Sequence, residues 1–254
     1  MLDQLKGWSE YSEICIDGVN GCGKSSLIKR MNRRNLKIND IQPSITCGPE
    51  YNYQPLRSIE YLCMQQSIYC HFSVWDRCAY SNLIFYYVHF LMYEYRDGVI
   101  PQDFDSVLDK LNRLAIQTNL LQTINLMRSI KDIPILFLIN SNIDVTACAL
   151  LQRSGLNDIW NSKEYNYQMA QCHAYKYFAK ILNAPLFDVV DFLVANYNIS
   201  EMQESIIKCV DVSPSKVLKL QRPTMPDVHS SNKVIQICKD LGFDDILMYD
   251  YSKK

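Results

Sequence analysis

The sequence predicts an α/β fold, with a central parallel sheet of about five strands flanked by helices. Three observations lead there. Short apolar runs of strand length recur along the chain, each is followed by a segment with helical spacing, and the first closes on a glycine-rich turn. Parallel strands covered on both faces read as continuous apolar runs rather than alternations, and these do.

Taken in order, Glu13–Asp17 (EICID) is the first buried strand. Lys24–Arg34 follows as a helix, with Leu27, Ile28 and Met31 on one face. His71–Trp75 (HFSVW) is a second strand closing on Asp76-Arg77, and the aromatic-rich stretch Tyr80–Tyr95 is long enough for a buried helix. Phe104, Val107, Leu108, Leu111, Leu114 and Ala115 repeat at three and four towards Met127, which predicts one or two long amphipathic helices. Pro134–Ile139 (PILFLI) is the clearest core strand. Asp144 is placed to cap the helix that carries Ala147, Leu150 and Leu151. After a polar break at Ser154–Ser162, the spacing predicts a helix over Glu164–Leu182 and a strand at Leu186–Val190. Ser200 with Gln203 has the capping-box arrangement for a helix to about Cys209. Ser213–Val228 contains three prolines and reads as a linker, and Ser231–Tyr251 as one more helix. The expected division is a domain over 1–212 and a C-terminal extension over 213–254.

Composition excludes several function classes. With 48% apolar and 21% charged residues, a formal charge of −1 and a pI near 6.4, nothing favours a nucleic-acid or membrane partner. Lys29, Arg30, Arg33 and Arg34 read as one solvated helix face. None of the ten cysteines forms a CxxC pair, so a zinc site is not expected. Met1–Glu10 is polar and charged, and the longest apolar run falls short of the ~18 residues of a membrane span. The expectation is a cytoplasmic or nuclear chain with reduced thiols, not a secreted one.

Gly18-Val19-Asn20-Gly21-Cys22-Gly23-Lys24-Ser25, followed by Ser26, fits GxxxxGK[ST] in full. The physics needs each part. Glycines let backbone N–H groups turn inward as an anion nest, and a side chain at Gly23 would block a β-phosphate. Lys24 neutralises β and γ oxygens, Ser25 offers a hydroxyl to Mg²⁺, and the next helix aims its positive end at the phosphates. The strand before the loop and the helix after it are the context the motif requires. The fold class is therefore a P-loop NTPase fold, with ATP and Mg²⁺ as cofactors. Asn140–Asp144 lacks the lysine of a guanine-reading NKxD, and Pro134–Ile139 runs into Asn140 rather than an acid, so GTPases and motor ATPases fit poorly.

Two stretches carry a resemblance. Cys15–Leu27 (CIDGVNGCGKSSL) resembles the first motif of thymidylate kinases. Trp75–Phe85 (WDRCAYSNLIF) is similar to their DRxxxS motif and to the ERSxxS motif of deoxynucleoside kinases. Leu150–Gly155 (LLQRSG) resembles the start of the lid in both families, and Glu164–Tyr175 the helix after it, so the resemblance covers roughly residues 13–210. It implies that Asp76 helps hold Mg²⁺ or the acceptor, that Arg77 contacts acceptor and phosphates, and that Arg153 closes over the transferred phosphoryl group. The acceptor pocket would be built by Asp17, Glu50, Tyr51, Asp76, Arg77, Tyr80 and Ser81.

Departures are visible too. No Pro-Gly-Gly stretch grips an acceptor phosphate; Gly48-Pro49-Glu50-Tyr51 stands in that region, closer to the Glu that deoxynucleoside kinases use as general base. The expected reaction is transfer of the γ-phosphoryl group of ATP to a deoxynucleoside monophosphate, or alternatively to the 5′-hydroxyl of a nucleoside such as thymidine. A further alternative is a catalytically impaired nucleotide-binding module. The families' common dimers make a homodimer the analogous expectation. Tyrosines of Tyr80–Tyr95 and Tyr165–Tyr177 either stack on a base or pack in the core.

Overall fold

The computed structural model describes residues 2–31, 33–37, 55–67, 72–153, 164–195 and 198–213. The polar break at Ser154–Ser162, the stretch Gly48–Tyr53 and the extension beyond residue 213 lie outside the described residues.

Five parallel strands form one sheet in the order β2-β3-β1-β4-β5: β1 Glu13–Gly18, β2 Arg34–Lys37, β3 Ser73–Asp76, β4 Ile135–Ile139 and β5 Leu186–Asp188. β1 is central, with Ile16 level with Asp76 on one side and with Leu136 on the other. Ile14, Ile16, Val74, Trp75, Phe137, Leu138 and Phe187 are shielded from solvent on both faces. Each such side chain contributes about 1.5–3 kcal/mol of burial free energy.

Helices fill both sides: α1 Lys24–Arg30, α2 Pro55–Ser67, α3 Ser81–Glu94, α4 Asp105–Gln117, α5 Leu120–Ile130, α6 Ile143–Arg153, α7 Tyr165–Leu182, α8 Val189–Val194 and α9 Ile199–Val210. The α4–α5 region resolves the open choice: two helices, broken at Asn119, which takes the left-handed conformation (φ 49°). α3 packs along α7, and Tyr87, Tyr167, Tyr175 and Tyr177 are core, whereas Tyr86, Tyr95 and Tyr165 are half-buried and Tyr93 is exposed. Tyr87 stacks on Tyr177 with centroids 5.8 Å apart and meets Phe178 edge-on at 5.2 Å. Buried between helices, Tyr87 and Tyr177 have no face to offer a base.

Four local expectations are corrected. The first helix stops at Arg30, where Met31 turns extended (ψ 144°), and Arg34 begins β2. Arg33 is therefore not on a solvated helix face. It is 3% exposed and donates to Val210 O at 2.8 Å, Tyr11 O at 2.9 Å and Trp8 O at 3.0 Å, tying the chain's first turns to the end of α9. Burial lowers its pKa to about 10, against the pull of Asp211, so it stays charged at neutral pH. Asn142, not Asp144, caps α6, by accepting the Val145 N–H at 3.1 Å. The last strand ends at Asp188, whose carboxylate accepts from Val190 N–H and starts α8. The capping box of α9 is Asn198 with Glu201; Ser200 and Gln203 turn towards α1 instead.

Chain connections after β1 and after β4 leave towards opposite edges of the sheet, because β1 leads to β2 and β4 to β5. In an open parallel sheet that arrangement leaves a crevice at the carboxyl ends of the strands. The glycine-rich loop sits there.

Candidate functional site

β1 delivers the loop. Gly18 ends the strand with φ 150°, a backbone that favours glycine, and a Cβ there would fall 1.8 Å from Leu138 O of β4. The Val19 N–H bonds that same carbonyl at 3.0 Å, and Val19 is buried. Gly21 (φ 80°) lies against Thr146 and Leu150 of α6. Gly23 (φ 84°) precedes α1, beside Gln203 of α9. Gln203 Nε2 donates to Gly23 O at 3.2 Å, while its Oε1 accepts from Arg30 at 2.9 Å. Two helices distant in sequence thus brace the loop from outside.

Lys24 is 7% exposed. Its ammonium donates to Gly18 O and Val19 O, both at 3.0 Å, and lies 4.0 Å from the buried Cys22 sulfur. Burial lowers its pKa, Arg77 adds to that, and Cys22, Asp17 and Asp76 oppose it. Ser25 and Ser26 are exposed on the first turn of α1.

β3, hydrogen-bonded next to β1, delivers the second part. Asp76 is its last residue and is half-buried. Arg77 follows with φ 87°, an uncommon backbone for a side chain of its size. Its guanidinium turns inward: one nitrogen donates to Asp17 Oδ1 at 3.0 Å, Gly18 O at 3.0 Å and the Tyr175 hydroxyl at 2.9 Å, and the other to Asn20 Oδ1 at 3.1 Å. The Phe85 ring lies 5.4 Å from its charged carbon.

Asp17 is the hub. Fully buried, it accepts from Gly18 N–H at 2.7 Å, Cys78 N–H at 3.2 Å, Ser81 Oγ at 2.5 Å and the Tyr175 hydroxyl at 2.8 Å, besides Arg77. Burial by itself would raise its pKa. The charges of Arg77 and Lys24, with hydrogen bonds from Ser81 and Tyr175, outweigh burial and hold the carboxyl below the ordinary range. The balance at Arg77 also runs towards charge: burial opposes it, but the charges of Asp17 and Asp76, with the hydrogen bond to Asp17, raise its pKa. The Tyr175 hydroxyl is raised by burial and by Asp17, so it remains a neutral donor.

This geometry redistributes the expected site residues. Gly18, Val19, Asn20, Gly21, Cys22, Gly23, Lys24 and Ser25 form one loop, with Asp76 near enough to act on Lys24 and Arg77. Asp17 and Ser81, expected in the acceptor pocket, are buried at 0% and 1% and bonded to each other. They hold the two turns together and have no surface for a substrate. Tyr80 points elsewhere. It lines a cavity of about 710 Å³ with Arg128, Asp132, Pro134 and Pro185, which border the starts of β4 and β5, at the opposite end of the sheet. Glu50, Tyr51 and the side chain of Arg153, whose backbone ends α6, lie outside the described residues.

Among the described residues no group of three or more His, Cys, Asp or Glu side chains could hold a metal ion. Mg²⁺ asks for less: one or two protein oxygens, completed by phosphates and water. The exposed Ser25 hydroxyl and the half-buried Asp76 carboxylate beside the loop fit that requirement. No described helix is long and apolar enough to cross a membrane.

No protein-family model matches the chain, and no curated protein matches it. Among solved structures it is similar to a deoxyadenosine kinase from M. mycoides with bound dATP, at 14% identity over 78% of this chain and 98% of that one, with a TM-score of 0.41. A likeness that distant carries no weight for function, which rests on the geometry above.

Sequence reasoning missed Gln171, Tyr175 and Gln203, which reach the loop from far along the chain. The signal for the first two was faint: Gln171 and Tyr175 stand one turn apart on a helix that also carries Asn166, Gln168, His173, Lys176 and Lys180. The identities were readable; their targets required the fold.

Proposed function

We propose that this chain transfers the γ-phosphoryl group of ATP to a nucleic-acid precursor. The observation that carries the reading is the pairing of two turns at the carboxyl edge of adjacent strands. One is a complete P-loop with its lysine buried at the base, and the other presents Asp76 and Arg77 beside it. A simple nucleotide-holding module needs the first turn and not the second.

The reaction is in-line displacement at the γ-phosphorus: the acceptor oxygen forms a bond to it as the bond to the β–γ bridging oxygen breaks, leaving ADP. Loop N–H groups and the start of α1 hold the phosphates. Lys24 exchanges the Gly18 and Val19 carbonyls for phosphate oxygens and offsets charge developing on them. Ser25 and Asp76 would hold Mg²⁺, which would supply further neutralisation of phosphate charge. Arg153, the last residue of α6, is assigned to the transferred group.

For the acceptor, Arg77 favours a nucleoside 5′-hydroxyl over a monophosphate. A guanidinium that grips an acceptor phosphate needs a free fork of donors, and both terminal nitrogens of Arg77 are engaged by Asp17, Gly18, Asn20 and Tyr175. Glu50 is then the proposed base on the hydroxyl.

A panel of nucleosides and monophosphates with ATP and Mg²⁺ tests both levels. Turnover of thymidine or another nucleoside is expected, and turnover of monophosphates alone reverses the acceptor assignment. Lys24→Ala should lower the rate about 10²–10³-fold, the loss found when a single electrostatic stabiliser is removed. Undiminished transfer by that variant, or ATP-dependent thermal stabilisation with no acceptor turned over by the wild type, would end the kinase reading.

A further inference from the structure

Helix α7 presents two buried polar side chains, one turn apart on the same face, to the phosphate side of the sheet. Gln171 is 1% exposed, and its Oε1 accepts the N–H of Asn20, within the P-loop, at 3.1 Å. Tyr175 is fully buried. Its hydroxyl donates to Asp17 Oδ1 at 2.8 Å and accepts from Arg77 at 2.9 Å, and its ring is set against Phe137 of β4 with centroids 5.6 Å apart. The buried neighbours on α7 include apolar residues such as Met169, Ala170, Ala174 and Phe178 and polar ones such as Tyr167, Gln168, His173 and Tyr177, so it is their partners, not their burial, that set Gln171 and Tyr175 apart. Burying polar atoms is unfavourable unless they are bonded. The partners of these two are the loop backbone and the Asp17–Arg77 pair.

We propose that Gln171 and Tyr175 are positioning residues for phosphoryl transfer. Gln171 sets the P-loop backbone at Asn20, and Tyr175 sets the Arg77 guanidinium against Asp17. The loop after β1 and the turn after β3 thereby keep one relative geometry. Removing the hydroxyl deprives Asp17 Oδ1 of a donor and Arg77 of the acceptor that holds it from the α7 side. The inference deepens the kinase reading above and rests on it.

Two substitutions test it in the full-length chain with ATP, Mg²⁺ and the acceptor it turns over. Tyr175→Phe keeps the ring and removes only the hydroxyl, and Gln171→Met keeps the length and removes the acceptor atom. Tyr175→Phe should lower kcat about ten- to a hundredfold, as misplacing a catalytic group does, while KM for ATP stays within about threefold. In an Arg77→Lys background the same substitution should change kcat little, because the hydroxyl acts through the guanidinium. A merely structural tyrosine would lower the melting temperature and the active fraction equally in both backgrounds. Gln171→Met should weaken ATP binding, measured by calorimetry, about tenfold, as expected for loss of a buried hydrogen bond. Wild-type kcat in Tyr175→Phe, or an equal loss in the Arg77→Lys background, overturns the role of Tyr175. Should Tyr175→Phe not fold, unchanged ATP affinity in Gln171→Met overturns the proposal. A wild-type chain that binds ATP and turns over no acceptor ends the kinase reading instead, and the affinity measurement still tests the grip on the loop.

Discussion

The turn after β1 and the turn after β3 sit side by side at the carboxyl edge of the sheet, and both need backbone in the left-handed region. The first meets the need with glycines at 18, 21 and 23 (φ 150°, 80° and 84°), and the second with an arginine at φ 87°. Glycine accepts that backbone without a Cβ clash, whereas any other L-residue is strained by about 1–2 kcal/mol. At Arg77 the strain is offset by four hydrogen bonds, one of them an ion pair with a carboxylate that has no solvent contact. The first turn is thus permitted by local sequence, and the second is imposed by tertiary contacts. One should break through sterics, the other through electrostatics.

The largest effect is expected at Gly18. An alanine there drives its Cβ into Leu138 O of the neighbouring strand, a backbone atom that cannot step aside. Loss of cooperative folding, or a destabilisation of about 4–5 kcal/mol, should follow in thermal or urea denaturation. A wild-type melting temperature in Gly18→Ala would mean that β1 and β4 do not approach as described.

Next comes Arg77→Ala, which strands the Asp17 carboxylate in the interior and should cost about 3–5 kcal/mol in urea titrations. Arg77→Gly separates charge from strain. It loses the same ion pair but relaxes the backbone, so it should be about 1 kcal/mol more stable than Arg77→Ala. Equal stability of the two would show that the turn is not strained in solution.

Acid should reach the second turn and spare the first. The Asp17 carboxyl is lowered in the folded chain, so its stabilising contribution is full above the unfolded carboxylate value of about 3.9 and is lost as pH falls through the lower folded value. The stability gap between wild type and Asp17→Asn should therefore hold at pH 7 and close only at strongly acid pH. A gap that closes near neutrality would contradict the charge arrangement around Asp17. A separate decline sets in earlier. Burial lowers the His89 pKa to about 4, so wild-type stability should fall as pH drops from about 6.5, where the unfolded histidine begins to protonate, towards 4.

The smallest effect belongs to Tyr80. Although it lies three residues beyond Arg77, it lines the cavity at the other end of the sheet. Tyr80→Phe should leave kcat within about twofold and stability within about 1 kcal/mol, the usual worth of one neutral hydrogen bond. A large loss of kcat would restore it to the acceptor pocket.

Much of the fold could be read in advance because its cues are local. EICID and PILFLI are strands by composition, and the glycine pattern of residues 18–23 leaves the loop little conformational choice. Boundaries failed where tertiary contacts outweighed local pattern. Arg33 continues a helical spacing, yet it is drawn out of the helix by three backbone carbonyls brought to it by Trp8, Tyr11 and Val210. The candidate site divides in the same way. Lys24 and Ser25 are fixed by their place in the motif. Asp17, Arg77, Tyr80 and Ser81 all fall within recognisable motifs, but their side-chain directions are not encoded there. Asp17 and Ser81 face each other inside, and Tyr80 turns away.

By itself the sequence determined that this chain builds a glycine-rich loop between a buried strand and a helix, because backbone freedom and hydrophobic burial act over a few neighbouring residues. Only the tertiary structure decided that Arg77 serves the loop, that Asp17 is its buried counter-charge, and that Gln171, Tyr175 and Gln203 hold the ensemble from helices 150 to 180 positions away. Those choices depend on which groups meet in a region shielded from water. There, an unpaired charge or polar atom is strongly unfavourable, and contacts from distant parts of the chain decide where each side chain points.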